Sequence, residues 1–591
     1  MTVVYDKDVD MNKERFRYAT TSIENNIKVR LRDEVLTSEK PIGGSVLELH
    51  GNQDKELYQY LFDGHSRFIY EQKGERPSII VGRKGAGKTT YLNNLSFKSG
   101  VTALPIRQWQ AIGEVQQIIS NLLDNGIDIR AERASYIWQW IFLSAVILKC
   151  GETLFSDKTL KDFYQLLPVK EFKDIGISAV TSFAKNKLSK LVTNNLGAEH
   201  AELSSVAWLL EDKTQAIDDL EMKLSNTLGE HNLTAIILFD NEEDVLDDIN
   251  IENAPNLQIA KAIAIKGLLN LAGRINEGAI NVQLRYCIPA EQFFAFKELA
   301  KNPVKDFGRL HLLHWTVGEL LSLVAHRFLL HLHVWKDEKP ILGGPYDELI
   351  QFPIYTRKGA LEFFDKILPT KIKNGRGLEE STKAYFLRHF QVLPRQIVDV
   401  FNEILAMSIR NNKSITNLDA QIVLGAVRRK EALMAEEIIV AYSKMFPEAS
   451  SIRKKVLPNI PLLFTYKDLR KFYDSREFLN TGKSVLQGMK GEVEVSPDRF
   501  ERCLLETGII GRVISKPSGN DIGYINAEFE YSMPGSLDLC ENDELVIHPV
   551  FSGQRKATAW DAIGKNIIGV YPHDADPDLS ADRELLRCFF V

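Results

Sequence analysis

The stretch "IIVGRKGAGKTTYLNNL", Ile79–Leu95, joins an apolar run to three glycines, two lysines and the start of a helical pattern. From Gly82 onward it fits G-x-x-x-x-G-K-[ST], the pattern of a phosphate-binding P-loop. Glycines let the backbone N–H groups of such a loop approach an anion closely, and the following helix directs its positive end at the same anion. The stretch therefore predicts a strand, a loop and a helix that bind the phosphates of a nucleotide.

The residues of this loop have distinct expected roles. Those expected to surround a bound ATP are Gly82, Arg83, Lys84, Gly85, Ala86, Gly87, Lys88, Thr89 and Thr90. Lys88 is expected to reach the β- and γ-phosphates, and the Thr89 hydroxyl is expected to ligate Mg²⁺. The alternative interpretation is a glycine-rich surface turn, which the flanking strand and helix patterns disfavour.

A second apolar run ends in acidic residues, as a metal site beside a P-loop requires. In "LTAIILFDNEED", Leu233–Asp244, apolar residues lead to Asp240, and Glu242 and Glu243 follow. Asp240 is predicted to hold Mg²⁺ directly or through a water, and one of the two glutamates to orient the attacking water. An apolar strand ending in an acid also occurs in unrelated folds, so its pairing with the P-loop supports the assignment.

Further strand-like runs alternate with helical patterns. The runs lie at 101–109, 279–294 and 310–315, and 131–202 is predicted to be a helical insertion. This alternation predicts an α/β fold with the parallel sheet of a P-loop NTPase, covered by helices on both faces. Within the insertion, "YIWQWIFLSAVIL", Tyr136–Leu148, is predicted to be a buried core helix because it is too short to cross about 30 Å of bilayer.

Five segments are predicted along the chain. They are an N-terminal extension at 1–52, the P-loop ATPase core at 53–316, a helical lid at 317–445, a winged-helix-like domain at 446–552 and a C-terminal tail at 553–591. The winged-helix prediction rests on two helical stretches followed by β-rich arms around "KPSGND". Such a fold does not decide between DNA and protein as the partner. Arg512 and Lys516 are candidate DNA contacts, and a solvated face is the alternative.

Three arginines are candidates for contacting the terminal phosphate. Arg395 follows Pro394 at the junction of two helical segments of the lid, where an arginine could lean onto the γ-phosphate and report its presence. A capping or solvated arginine is the alternative interpretation at this position. Arg285 and Arg327 are also possible phosphate or inter-subunit contacts, but a structural role is favoured for each.

The net charge and the cysteine content argue against several classes of protein. The chain has 591 residues, a formal net charge of -6 and five scattered cysteines without CxxC spacing. The small charge predicts no general attraction to nucleic acid or to an anionic membrane. The cysteines indicate neither a disulfide framework nor a zinc site. With a polar N-terminus that lacks a signal-peptide pattern, these features predict a cytoplasmic protein with no membrane partner.

The chain resembles the STAND and origin-recognition branches of AAA-type ATPases, and more narrowly the P-loop ATPases of bacterial anti-phage gene clusters. The resemblance is carried by the loop "GRKGAGKT", by "LHW" before the lid and by "GIIGRV … FEY … IHPVF" within Gly508–Phe551. It covers residues 54–552. Where the STAND pattern has a second acid directly after the first, this chain has Asn241. A P-loop class of this kind often carries a further acid three positions on, which favours Glu243 over Glu242 for orienting water.

The resemblance implies an ATP-dependent regulatory switch. Such a switch is often a homo-oligomer and would control a separately encoded effector protein, since the chain carries no nuclease, protease or deaminase signature. Two alternatives stay open. One is a DNA-loading or remodelling ATPase that grips DNA with the winged helix. The other is a scaffold that binds ATP and never hydrolyses it.

Overall fold

The computed structural model describes residues 23–44, 57, 60–61, 78–96, 101–124, 129–167, 215–240, 255–278, 281–293, 296, 310–335, 346–474, 495–530, 537–552 and 563–575. These residues divide into two compact units. The parallel-sheet unit falls within Ile69–Leu313, and the composite unit within Met1–Phe68 and His314–Arg587. The first described helix, α1 (Asn25–Arg30), continues into a π-helical turn, Leu31–Val35, and belongs to the composite unit.

A five-stranded sheet forms the centre of the parallel-sheet unit. Its strands are β1 (Ile79–Gly82), β2 (Val101–Arg107), β3 (Thr234–Asp240), β4 (Val282–Pro289) and β5 (Leu310–Leu313). Their spatial order is β2-β3-β4-β1-β5, and every pairing is parallel. All eight residues of β4 are buried, as expected for an inner strand of a parallel sheet. The predicted α/β character with a parallel sheet is confirmed.

Long helices connect these strands, as parallel pairing requires. They are α2 (Lys88–Ser96), α3 (Gln108–Asp124), α4 (Ala131–Cys150), α5 (Lys158–Leu166), α6 (Gln215–Glu230) and α7 (Pro255–Gly278). In α4 every residue from Ile137 to Ile147 is buried, so the predicted core helix is confirmed. Among the helices that the structure describes, none is both long and apolar enough to cross a membrane.

Helix α4 crosses α7 at very short range. A Cβ added at Gly267 of α7 would lie 2.6 Å from the Cβ of Ala134 and 2.8 Å from its carbonyl carbon. Near this crossing, the indole N–H of Trp138 donates to the Ala264 carbonyl at 2.8 Å. The fully buried indole thereby satisfies its one donor. The inserted helix is thus an integral part of the core of this unit.

A partly buried polar cluster, in which Gln139 and Glu221 are buried, lies between α4, α6 and α7. The Gln139 amide donates to Glu221 and to Asp218, the latter at 3.1 Å, and its carbonyl accepts from Arg274 at 2.7 Å. Burial raises the pKa of Glu221 to about 7, although Gln139 and Arg274 oppose the increase. This cluster therefore contains a carboxyl group that titrates near neutrality.

The composite unit contains most of the remaining helices. They are α8 (Val317–Trp335), α9 (Tyr346–Leu349), α10 (Arg357–Ile367), α11 (Thr382–Leu387), α12 (Pro394–Arg410), α13 (Ala420–Tyr442), α14 (Ala449–Ser451), α15 (Tyr466–Tyr473), α16 (Pro497–Glu506) and α17 (Pro549–Ser552). Aromatic side chains of α8, α10 and α12, including Phe328, Phe363 and Phe401, pack edge to face in its core. A π-helical turn (Ile452–Val456) and a 3-10 turn (Leu457–Asn459) follow α14.

A short hairpin and a second five-stranded sheet complete this unit. The hairpin pairs β6 (Lys371–Lys373) with β7 (Glu379–Ser381). The sheet contains β8 (Leu463–Thr465), β9 (Ile510–Ser515), β10 (Gly523–Phe529), β11 (Glu544–Ile547) and β12 (Ile567–Pro572), in the order β12-β10-β9-β11-β8. The antiparallel pairing of β9 with β10 matches the predicted β-rich arms around "KPSGND". Strand β12 pairs parallel with β10, so the boundary expected at 552 cuts this sheet.

Polar contacts around the buried Glu380–Arg388 ion pair connect the β6–β7 hairpin to the second sheet. The Glu380 carboxylate accepts from the Arg388 guanidinium at 3.2 Å, from the Tyr524 hydroxyl at 3.1 Å and from the Asn374 amide at 2.9 Å. Arg376 also donates to the carbonyls of Gly564 and Ile567. A buried charge with this many partners is well compensated. The helical part of the composite unit and its second sheet are therefore joined by specific polar contacts.

Candidate functional site

The glycine loop (residues 82–90) leaves the carboxyl end of β1 and enters α2. Gly85 and Gly87 adopt φ angles of 88° and 95°, in the region that residues with a side chain rarely occupy. The Ala86 N–H donates to the Arg83 carbonyl at 2.9 Å, which closes a tight turn that contains Gly85. A Cβ added at Gly82 would lie 3.0 Å from the Leu313 Cβ and 3.3 Å from the Lys88 Cγ. The glycines that define the sequence pattern are thus required by the backbone.

The Lys88 ammonium group lies over the loop. It donates to the Gly82 carbonyl at 2.9 Å and to the Arg83 carbonyl at 3.2 Å. An ammonium group has three donors, and these two bonds leave a third for a further acceptor. The side chain thus holds a positive charge against the loop backbone, where an anion with several oxygens could accept from it.

Thr89 and Asp240 meet at this loop from distant parts of the chain. The Thr89 hydroxyl lies 2.6 Å from the Asp240 carboxylate, although the two residues are 151 positions apart. Asp240 is the last residue of β3, so its carboxylate lies at the carboxyl edge of the sheet beside the loop. A hydroxyl and a carboxylate at this separation are the oxygen ligands that Mg²⁺ prefers, directly or through a water.

The thiol of Cys287, in β4, is affected by the charges of both Asp240 and Lys88. It is fully buried, and burial raises the pKa of its thiol well above the ordinary value. The nearby Asp240 carboxylate adds to this increase in pKa, while Lys88 opposes it. Strand β4 lies between β3, which ends at Asp240, and β1, from which the glycine loop leads to Lys88 at the start of α2.

A further charged residue, Glu291, contacts the loop and is not among the predicted site residues. It lies in the 3-10 turn Ala290–Gln292 that directly follows β4. The Lys84 N–H donates to its Oε1 at 2.8 Å. The register that pairs Gly82 with Pro289 brings this turn beside the loop. In the sequence the only signal is an acid two positions after an apolar strand, which is too common to single out.

The predicted catalytic residues are Glu242, Glu243 and Arg395, and the structure describes Arg395. Glu242 and Glu243 lie outside the residues that the structure describes. Arg395 is the second residue of α12, half-buried, and its buried Nε has no hydrogen-bond partner among the described residues. Shortly before it, Val392 adopts a φ of 52°, which is unfavourable for a β-branched residue. Arg395 and the glycine loop belong to different units.

The two other candidate arginines are engaged in local contacts. Arg285 is fully buried in β4 and donates to the Leu284 carbonyl at 3.0 Å and to the Gln283 side chain at 2.8 Å. Arg327 of α8 donates to the Gly44 carbonyl at 3.2 Å. These contacts agree with the structural interpretation that the sequence favoured for both.

The candidate DNA contacts of the composite unit are paired with acids. Arg512 of β9 lies 3.1 Å from the Glu528 carboxylate on β10, and Lys516 lies 2.6 Å from Glu544. Other basic residues of this region have similar partners: Lys471 pairs with Asp468, and both Arg453 and Lys454 pair with Glu436. Pairing of this kind cancels much of the positive field that a phosphate backbone would need.

Comparisons with known proteins add no family to this picture. No protein-family model matches the chain, and no curated protein matches it either. The features that bear on function are the glycine loop, Lys88, and the contact between Thr89 and Asp240.

Proposed function

We propose that this chain binds ATP with Mg²⁺ at the glycine loop and hydrolyses it as a regulatory switch. The observation that supports this most strongly is the 2.6 Å contact between Thr89 and Asp240. The sequence pattern alone gives the loop, but a metal–nucleotide site also needs an acid from another strand. The chain supplies that acid at the expected residue, which supports a P-loop NTPase over a glycine-rich turn.

The loop residues would recognise the phosphates. With Gly85 and Gly87 at positive φ, backbone N–H groups of the loop and of the first turn of α2 would face an anion. Lys88 would exchange its bonds to the Gly82 and Arg83 carbonyls for phosphate oxygens. An ammonium group gains from this exchange because the phosphate oxygens carry negative charge, whereas a peptide carbonyl is neutral.

The acidic side of the site would hold the metal and the water. Bound MgATP supplies the phosphoanhydride bond and a metal that neutralises the developing charge. Thr89 would ligate the metal, and Asp240 would hold it directly or orient one of its waters. Glu243, with Glu242 as the alternative, would orient the attacking water toward the γ-phosphate.

The resemblance to STAND and origin-recognition ATPases suggests what the hydrolysis controls. In such a switch ATP holds lid and core together, and Arg395 would report the γ-phosphate from the start of α12. The output would pass to a separately encoded effector protein, in the setting of bacterial anti-phage defence, with a homo-oligomer as the working form. The DNA-loading alternative is less well supported because Arg512 and Lys516 are paired with acids.

The test is nucleotide binding and phosphate release, measured with ATP and GTP in the presence of Mg²⁺. We expect Lys88→Ala to weaken ATP binding at least tenfold, and Asp240→Asn and Glu243→Gln each to slow phosphate release about 100-fold. Lys161→Ala, at an exposed lysine of α5, is the matched control and should behave as wild type. Wild-type protein that binds no nucleotide would refute the proposal. Tight binding with no phosphate release would instead identify the ATP-binding scaffold.

A further inference from the structure

We propose that Glu291 is a positioning residue of the glycine loop and that its negative charge sets the loop's affinity for phosphates. The inference rests on the proposed function, and assigns to Glu291 two effects of opposite sign. Its carboxylate accepts a hydrogen bond from the Lys84 N–H and so stabilises the loop conformation, which favours nucleotide binding. We call this stabilising contact the brace. The same carboxylate repels the phosphates of the nucleotide, which opposes binding.

The brace follows from the position of the hydrogen bond. Lys84 lies two residues after the end of β1 and directly before Gly85, whose φ of 88° starts the sharp part of the loop. The Lys84 N–H bond to Glu291 Oε1, at 2.8 Å, fixes the peptide group that precedes this glycine. Glycine has more backbone freedom to lose than any other residue. Fixing the peptide beside it therefore reduces the ordering that nucleotide binding must supply.

The charge effect follows from burial. Glu291 is 4% exposed, and its second oxygen, Oε2, is buried with no hydrogen-bond partner in the described part of the chain. A carboxylate in this setting is screened by water less than a surface acid. One of its oxygens contacts the loop backbone on which the phosphates would lie. Its repulsion should act on ATP more strongly than on ADP, because ATP carries one more negative charge.

Two substitutions separate the effects. Glu291→Gln keeps an oxygen that can accept from the Lys84 N–H but removes the charge, whereas Glu291→Ala removes both. We expect Glu291→Gln to bind MgATP about three- to tenfold more tightly than wild type, with a smaller gain for MgADP. Glu291→Ala should bind more weakly than Glu291→Gln. Asp219→Asn, at an exposed acid of α6 in the same unit, removes a charge from the surface and should change neither affinity.

A second measurement needs no nucleotide. Amide hydrogen exchange of a peptide covering 83–88 should be faster in Glu291→Ala than in wild type and unchanged in Glu291→Gln. If the Gln and Ala variants weaken ATP binding equally, or if neither changes affinity or exchange, the inference is wrong. If wild type binds no ATP, the proposed function and the charge effect are both wrong. Faster exchange in Glu291→Ala than in wild type would then support only the stabilising contact between Glu291 and the Lys84 N–H.

Discussion

At the scale of single residues, Glu221 makes the stability of the parallel-sheet unit depend on pH. Burial raises its folded-state pKa to about 7 from an ordinary value of 4.5. The folded state therefore holds the proton more tightly than the unfolded chain. Its contribution to the free energy of unfolding is fully present below pH 4.5 and is lost as the pH rises through about 7.

We expect this loss to amount to about 3 kcal/mol between pH 4.5 and 7, from about 1.4 kcal/mol for each pKa unit. Glu221→Gln should remove this component, so the variant should lose less stability than wild type between pH 5 and 8. Urea unfolding at the two pH values measures the difference. Asp219→Asn, an exposed acid two positions away on the same helix, should keep the wild-type pH dependence. An unchanged pH dependence in Glu221→Gln would contradict the assignment.

The residues of the candidate site were predictable to different degrees. Lys88, Thr89 and the loop glycines follow a fixed spacing because a phosphate-binding backbone needs them there. Asp240 was predicted from the apolar run that ends at it. Glu291 was not predicted, because its contact with the Lys84 N–H depends on which strands are neighbours. Spatial order in a parallel sheet is set by crossover connections, which leave no local mark in the sequence.

At the scale of elements, the crossing of α4 and α7 depends on the absence of a side chain at Gly267. A Cβ there would lie 2.6 Å from the Ala134 Cβ, closer than two carbons can pack. Helix propensity alone would make Gly267→Ala stabilising by about 1 kcal/mol. We expect the opposite sign, a loss of about 1–3 kcal/mol, because the two helices must move apart.

Gly113 of α3 is the matched control for this prediction. A Cβ added at Gly113 meets nothing within 4 Å, so Gly113→Ala should follow helix propensity and stabilise by about 0.5–1 kcal/mol. Both variants are measured by urea unfolding of the full chain. If Gly267→Ala is as stable as Gly113→Ala, the two helices can move apart without loss of stability and the prediction is wrong.

The strands that could not be predicted from the sequence are either very short or paired with a strand far away in the sequence. Strands β6 and β7 are three residues each, "KIK" and "EES", with one buried position apiece. So short an alternation cannot be told from a loop. Strand β12 lies in the segment predicted to be the C-terminal tail. Its pairing with β10, more than thirty positions away, leaves no local signal in the sequence. By contrast, the long apolar runs of β3 and β4 were predicted correctly.

At the scale of the whole molecule, the charge distribution predicts weak binding to DNA. The net charge is -6, and Arg512 and Lys516 are paired with Glu528 and Glu544. A DNA-loading protein with six or more phosphate contacts would lose about a thousandfold in affinity between about 50 and 200 mM salt. We expect this chain to show no binding of that strength and salt dependence.

Fluorescence anisotropy of a labelled duplex, at both salt concentrations and with and without ATP, measures this directly. The double variant Arg512→Ala/Lys516→Ala should behave as wild type toward the duplex. Phosphate release should be the same with and without DNA. Steep salt dependence that the double variant abolishes would favour the DNA-loading ATPase instead.

The pairing of β12 with β10 has a consequence for synthesis of the chain. Strand β10 ends at Phe529 and β12 begins at Ile567, 38 positions later. At about 5–20 residues per second, a ribosome needs about 2–8 s to make the intervening segment. During that time the outer edge of β10 has no partner strand, and an open strand edge is a template for other chains. Neighbouring nascent chains on one messenger RNA would therefore be most prone to associate in that interval.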